Sequence, residues 1–222
     1  MTSTQPKLVS AKAALLMIDF QRDFCSTGGY ADSAFDGGLE WVTSIIPNAE
    51  RLLKAARDAS LTIIHTREGY AADLSDVGEV KQRRSIAAGA PIGSQGPLGR
   101  FLIRGQHGQD TIDELKALPE EFVLDKNTFG AFASTNIEEL LRTRGIEQLI
   151  IAGVTADVCV HTTMREAVDR GFECWYCKDA ISTPDSNLRE ACEKMVLHEG
   201  GIWGWLVTVE DVKKDLCSEE KF

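Results

Sequence analysis

The stretch "QLIIAGVTADVCVHTTMREAVDRG", residues 148–171, decides the fold. Its opening "QLIIAGV" is apolar after Gln148 and does not alternate, which marks a strand covered on both faces. From Cys159 onward the pattern is amphipathic, and Gly171 closes it as a C-terminal glycine should. A strand that turns sharply into a helix is half of a βαβ unit. Cys159 stands where that helix begins, with apolar residues on both sides. It is either a small buried core residue, as most free cysteines are, or a nucleophile.

The rest of the chain repeats the same rhythm. The runs "AALLMIDF" (13–20), "LTIIHT" (61–66), "EFVLDK" (121–126), "ECWYCKD" (173–179) and "IWGWLVT" (202–208) read as five more strands. The segments at 40–60, 134–146, 159–171 and 186–201 read as helices. Ser134 is expected to cap the second, and Gly145, Gly171 and Gly200 to close three of them. Strand and helix in alternation predict right-handed crossovers, a parallel sheet and helices on both of its faces, a three-layer αβα fold of Rossmann type. Residues 67–108 break the rhythm. They include "GAPIGSQGPLGR" and exceed ordinary loop length, so they are expected to be a functional or mobile insertion near the active site. Their glycines neither follow a strand directly nor open a helix, which weighs against a phosphate cradle.

The whole chain, 1–222, suits one domain with that insertion. A net charge of −10 speaks against nucleic acid or an anionic membrane as partner. The opening "MTSTQPKLVSAKAALLMIDF" lacks a basic n-region followed by a long apolar stretch, and no apolar run reaches the ~20 residues of a span. The expected location is the cytoplasm, where the six cysteines are thiols. Cys174 and Cys177 form a CxxC pair, but they lie inside a strand, where residues three apart face opposite ways. A dithiol site is therefore not expected there.

In open parallel sheets ligands bind outside the carboxyl ends of the strands, near the point where strand order reverses. Asp19 ends the first strand, Lys126 the third, and Cys159 follows the fourth. Taken singly, each has an ordinary reading: a turn residue, a solvated charge, a core thiol. Together they assemble a base, an ammonium and a nucleophile. The helix N-terminus and Lys126 are expected to lower the pKa of Cys159. Asp19 is placed to accept the thiol proton and return it to a leaving amine, and Lys126 to keep Asp19 ionised. Of the four histidines, His161 faces away on its helix, and only His65 remains as an alternative partner for the thiol.

Three motifs, "LLMIDFQRDFC" (15–25), "LDKNTFGAF" (124–132) and "GVTADVCVHTTMREA" (153–167), resemble those of the isochorismatase-like cysteine hydrolases. The resemblance runs from about residue 13 to 208. It implies a six-stranded parallel sheet, often in a tetramer, and a triad of Asp19, Lys126 and Cys159. Members cleave amide or ureido C–N bonds through a thioester, and some hydrolyse isochorismate instead. A cis peptide is implied between Val154 and Thr155, with the amides of Thr155 and Cys159 forming the oxyanion hole. Nicotinamidase-type members carry an Asp-x-His metal site after the second strand. Here "HTREGYAADLSD" (65–76) offers only His65, so neither metal nor cofactor is expected.

The motifs look most like those of biuret hydrolase and its triuret-cleaving relatives, and ureidoacrylate amidohydrolase is further off. Gln21 and Phe24 are then expected to line the pocket. Glu199 stands where biuret hydrolase has a substrate-binding glutamine, which favours triuret over biuret. The implied partners are a small ureido substrate and further copies of the chain, as a dimer or tetramer. Isochorismate-type hydrolysis and a non-enzymatic binding role remain open from the sequence.

Overall fold

A computed structural model describes residues 5–35 and 37–217. The first four residues of the segment read above for a secretion signal lie outside them. Six parallel strands form one sheet: β1 (Ala13–Ile18), β2 (Thr62–Glu68), β3 (Phe122–Lys126), β4 (Gln148–Val154), β5 (Glu173–Ser182) and β6 (Trp205–Val207), in the order β3-β2-β1-β4-β5-β6. The central pair, β1 and β4, is buried at every residue, as unbroken apolar runs require.

Helices cover both faces. The main ones are α1 (Ile46–Asp58), α2 (Glu79–Ala87), α3 (Ile137–Thr143), α4 (His161–Asp169), α5 (Ser186–Leu197) and α6 (Val209–Cys217). One core packs Leu52 and Leu53 of α1 and Val212 of α6 against Leu15, Met17 and Ile150 of the sheet. The other packs Leu141 of α3, Met164 of α4 and Val196 of α5 against Leu16, Leu149 and Ile151. Cys177 belongs to the first core and Cys174 to the second, so the CxxC pair straddles the sheet as expected. All six cysteines are free. Among the described residues no helix is long and apolar enough to cross a membrane.

The strand order reverses between β1 and β4, and their carboxyl ends open the crevice in which this architecture binds ligands. Gly153 makes the close approach possible. It has φ 141°, and a Cβ there would collide with the carbonyl oxygen of Ile18 on β1. The next peptide, Val154–Thr155, is cis.

Several details differ from the sequence reading. The last strand covers only Trp205–Val207, because Gly201 and Gly204 take positive φ and turn the chain before it. Ser134 does not cap α3. Its hydroxyl pairs with that of Thr128, while the Thr135 hydroxyl accepts the Ile137 amide. Residues 67–108 contain α2 and a two-residue hairpin pairing Gln95–Gly96 with Gly99–Arg100. Their apolar side chains, including Tyr70, Ile92, Phe101 and Ile103, build a third small core onto which Phe24 and Tyr30 pack.

Asp23 ties this segment to the turn after β1, with Oδ2 accepting the Leu102 amide at 3.0 Å. Burial pushes its carboxyl up from 3.8 to about 6, against the opposing effect of that hydrogen bond. The folded state therefore holds the Asp23 proton more tightly than the unfolded chain. The stability this contributes is complete below the unfolded pKa and is lost as pH rises through about 6. The loss is at most about 3 kcal/mol. Asp23→Asn keeps an acceptor for Leu102 and removes the titration. Urea denaturation at several pH values between 4 and 7.5 should show the variant gaining on the wild type as pH rises. A constant difference would exclude Asp23 as the titrating group.

Candidate active site

Asp19 follows β1 in a left-handed conformation, φ 53°, which Asp tolerates better than most residues. The strand pairing fixes it: its amide donates to the Thr66 carbonyl on β2, and its Oδ1 accepts from the Thr66 hydroxyl at 2.7 Å. Its Oδ2 lies 2.7 Å from Lys126 Nζ, and both side chains are wholly buried. Lys126 ends β3 and donates also to the Thr128 carbonyl, at 3.1 Å. The same ammonium points at Cys159 Sγ, 3.6 Å away. Cys159 is in a single π-helical turn, Ala156–Val160, wedged between the end of β4 and α4. Such turns recur at functional sites because they re-aim one side chain.

A fourth group completes the cluster. Glu68, the last residue of β2, is buried, and its Oε2 lies 3.8 Å from Cys159 Sγ. Its Oε1 accepts from the Tyr70 hydroxyl at 2.6 Å and pairs with Lys81 Nζ at 2.9 Å. Lys81, from α2, also stands over the Phe129 ring, 3.3 Å from its centroid. Sequence reading missed Glu68 because it ended the second strand at Thr66, two residues short. The rule that singled out Asp19 and Lys126, a charge at a strand's carboxyl end, selects Glu68 once the strand is read to its end. Lys81 lies on a polar helix of the long segment, with no such signal.

The electrostatics correct one expectation. Burial pushes the Cys159 thiol well above its ordinary pKa; Lys126 pulls it down, but Asp19 and Glu68 push it up again. Burial, the largest effect, acts together with the two carboxylates against the one ammonium. The resting group is therefore a thiol and not a preformed thiolate. For Lys126 burial acts downward, but the carboxylates of Asp19 and Glu68 push it up, and it stays an ammonium.

The remaining candidates divide. Phe24 and Thr155 line the cavity that holds Cys159. Gln21 does not. Its side chain accepts the Glu68 amide at 2.7 Å and donates to the carbonyls of Glu68 and Gln109 at 2.8 and 3.0 Å. With its amide fully used by backbone, Gln21 braces Glu68 instead of meeting a ligand. Glu199 lies outside the cavity lining, with φ 51° and a side chain 65% exposed beside His198. It sits in the tight turn after α5, where solvent takes its carboxylate. His65 pairs with Glu121 at 3.0 Å, and His161 accepts from Arg165 and contacts the Cys192 carbonyl. Both histidines are thus engaged elsewhere than at the thiol.

The isochorismatase domain model matches residues 13–210. Ureidoacrylate amidohydrolase RutB of Variovorax paradoxus is 28% identical over 208 residues, covering 92% of this chain and 81% of that protein. Its counterpart in Cronobacter turicensis is 31% identical over 159 residues, 70% of this chain and 68% of that protein. Among solved structures, a cysteine hydrolase from Pseudomonas syringae superposes with TM-score 0.81 at 21% identity, over 98% of this chain and 99% of that one. N-carbamoylsarcosine amidase from Thermoplasma acidophilum superposes with TM-score 0.69 at 20% identity, over 90% and 97%. The sheet order, the convergent strand ends and a domain match over nearly the whole chain agree: this chain belongs to the isochorismatase family.

Proposed function

We propose that this chain is an amidohydrolase that cleaves a C–N bond of a small ureido or carbamoyl compound through a covalent intermediate on Cys159. One observation carries the reading: Lys126 Nζ stands 2.7 Å from Asp19 and 3.6 Å from Cys159 Sγ at the crevice between β1 and β4. The resting thiol is protonated, so a base must act as attack begins. Asp19 takes the proton, and the thiolate develops beside the fixed Lys126 charge. Sγ bonds to the carbamoyl carbon, with the amides of Thr155 and Cys159 as donors to the oxyanion. The C–N bond breaks, Asp19 returns its proton to the nitrogen, and ammonia leaves a thioester-type carbamoyl enzyme. Water then gives a proton to Asp19 and adds its hydroxide to the carbon. The carbamate-type acid departs as the sulfur regains a proton.

The ureido class is supported by the relatives named ureidoacrylate amidohydrolase and, at the level of fold, by N-carbamoylsarcosine amidase. Ureidoacrylate-like compounds therefore come before biuret and triuret. The reason for ranking triuret over biuret rested on Glu199, which faces solvent here. Glu199→Gln is accordingly expected to leave the ratio of kcat/KM for biuret and triuret unchanged. A threefold change in that ratio would restore Glu199 to the site.

Asp19, Glu68 and Cys159 present ligand-type atoms within 4.8 Å of one another. The Lys126 ammonium already sits among those donors and repels a second cation. Preincubation with EDTA should leave activity unchanged, and a loss reversed by zinc or manganese would contradict this. We place the reaction in the cytoplasm, where six unpaired cysteines persist as thiols. The function is tested by ammonia release from ureidoacrylate, N-carbamoylsarcosine, biuret, triuret and nicotinamide, with isochorismate as the ammonia-free control. Release from at least one ureido compound is expected. Turnover of isochorismate alone would overturn the proposal.

A further inference from the structure

The cavity above Cys159 has a volume of about 790 Å³. That is near the upper end of small-molecule sites, ~300–1,000 Å³, and a compact ureide of fewer than about ten non-hydrogen atoms fills a fraction of it. Polar groups line part of it: Glu68 pairs with Lys81, and Asp76, Arg84, Ser85 and Asn127 also belong to the lining. A second part of the wall is aromatic. Phe24 meets Phe101 edge-on at 6.2 Å, Phe101 meets Tyr30 at 4.8 Å, Tyr30 meets Phe35 at 6.1 Å, and Phe35 meets Trp41 at 6.2 Å. All five rings line this cavity. Phe24, Tyr30, Phe35 and Trp41 come from the short helices after β1 and their flanks, and Phe101 from the long segment. Two separate parts of the chain thus build one continuous run of rings in the cavity that Cys159 also lines. A site for compact, wholly polar ureides has no use for such a surface, since it offers their many donors and acceptors no partners.

We propose that this wall is a binding subsite for a planar apolar group, so that the substrate is a carbamoyl or ureido compound bearing an aryl or arylalkyl substituent. The proposal rests on the reading above only in placing the carbamoyl head at Cys159. Ring stacking and burial of apolar area supply the affinity, and each methylene buried strengthens binding roughly fourfold. Compact ureides still reach the thiol but bind weakly, because they leave the wall wet.

The test is calorimetric titration of the Cys159→Ala protein with methylurea, propylurea, benzylurea and phenethylurea. The variant cannot turn these compounds over, so binding is read without catalysis. Benzylurea and phenethylurea are expected to bind at least tenfold more tightly than methylurea, with propylurea between. Adding Phe101→Leu, which keeps apolar volume but removes the ring, should cost the aryl compounds threefold or more and leave methylurea unchanged. Phe35→Ala, at the rim, should act in the same direction, and it guards against a folding defect at Phe101. Equal affinities along the series, or aryl affinities untouched by both substitutions, would overturn the subsite. So would failure of all four compounds to bind. A steep series with a wild type that releases no ammonia would sink the proposed hydrolysis and leave the subsite standing. Ammonia release with a flat series would do the reverse.

Discussion

Cys159→Ala is expected to lower kcat by about 10⁴–10⁶ while leaving the fold and its stability nearly intact, because the loss of a covalent nucleophile removes a whole reaction path. Sγ is buried and contributes little surface, so the substitution leaves only a small void in a pocket that already opens to ligand. Cys159→Ser should be almost as inactive. A hydroxyl is far less acidic than a thiol, and burial beside two carboxylates already pushes the thiol upward. The check is kcat measured with a ureido substrate, alongside the urea midpoint of each variant. A Cys159→Ala protein that kept a tenth of the wild-type rate would remove covalent catalysis from the account.

The second large effect concerns the pair beneath the thiol, and here activity and stability should separate. Asp19 and Lys126 are both wholly buried and 2.7 Å apart. Removing one partner leaves an uncompensated buried charge, which typically costs about 3–5 kcal/mol. Asp19→Asn and Lys126→Met should each destabilise by that order and lower kcat by about 10²–10⁴ or more, through loss of the proton acceptor or of the charge facing the thiolate. The double variant carries neither charge. Its stability should recover by about 2 kcal/mol or more relative to the sum of the singles, while its activity stays lost. Denaturation and kcat measured on all four proteins close the cycle. If stability and activity return together, the pair matters only for folding. If the stabilities simply add, the 2.7 Å contact is not the coupling supposed here.

Much of this was legible in the chain because the relevant signals are local. Unbroken apolar runs between amphipathic segments specify a parallel sheet covered on both faces, and the observed sheet has all six strands. Asp19, Lys126 and Cys159 could be placed together because parallel strands bring their carboxyl ends to one edge. What escaped depends on contacts that no pattern records. Lys81 reaches Glu68 from a helix with no buried residue, and its position follows from how residues 67–108 fold back. Gln21 looked like a pocket residue by its neighbourhood, but its amide is consumed by three backbone partners. The resemblance puts Glu199 at a substrate-binding position, but a turn through positive φ sends it to solvent. The pKa of Cys159 was misjudged for a physical reason. A helix start and one lysine were counted, while burial and Glu68 were not.

Cys159 is expected to carry the carbamoyl group during turnover. Mass spectrometry of protein quenched in acid during steady-state hydrolysis of a ureido substrate tests it most directly. An adduct with the mass of the acyl portion, ammonia lost, is expected on the peptide containing Cys159. It should decay when substrate is exhausted and be absent from the Cys159→Ala protein. Steady ammonia release with Cys159 unmodified at every time point, and undiminished in Cys159→Ala, would contradict it.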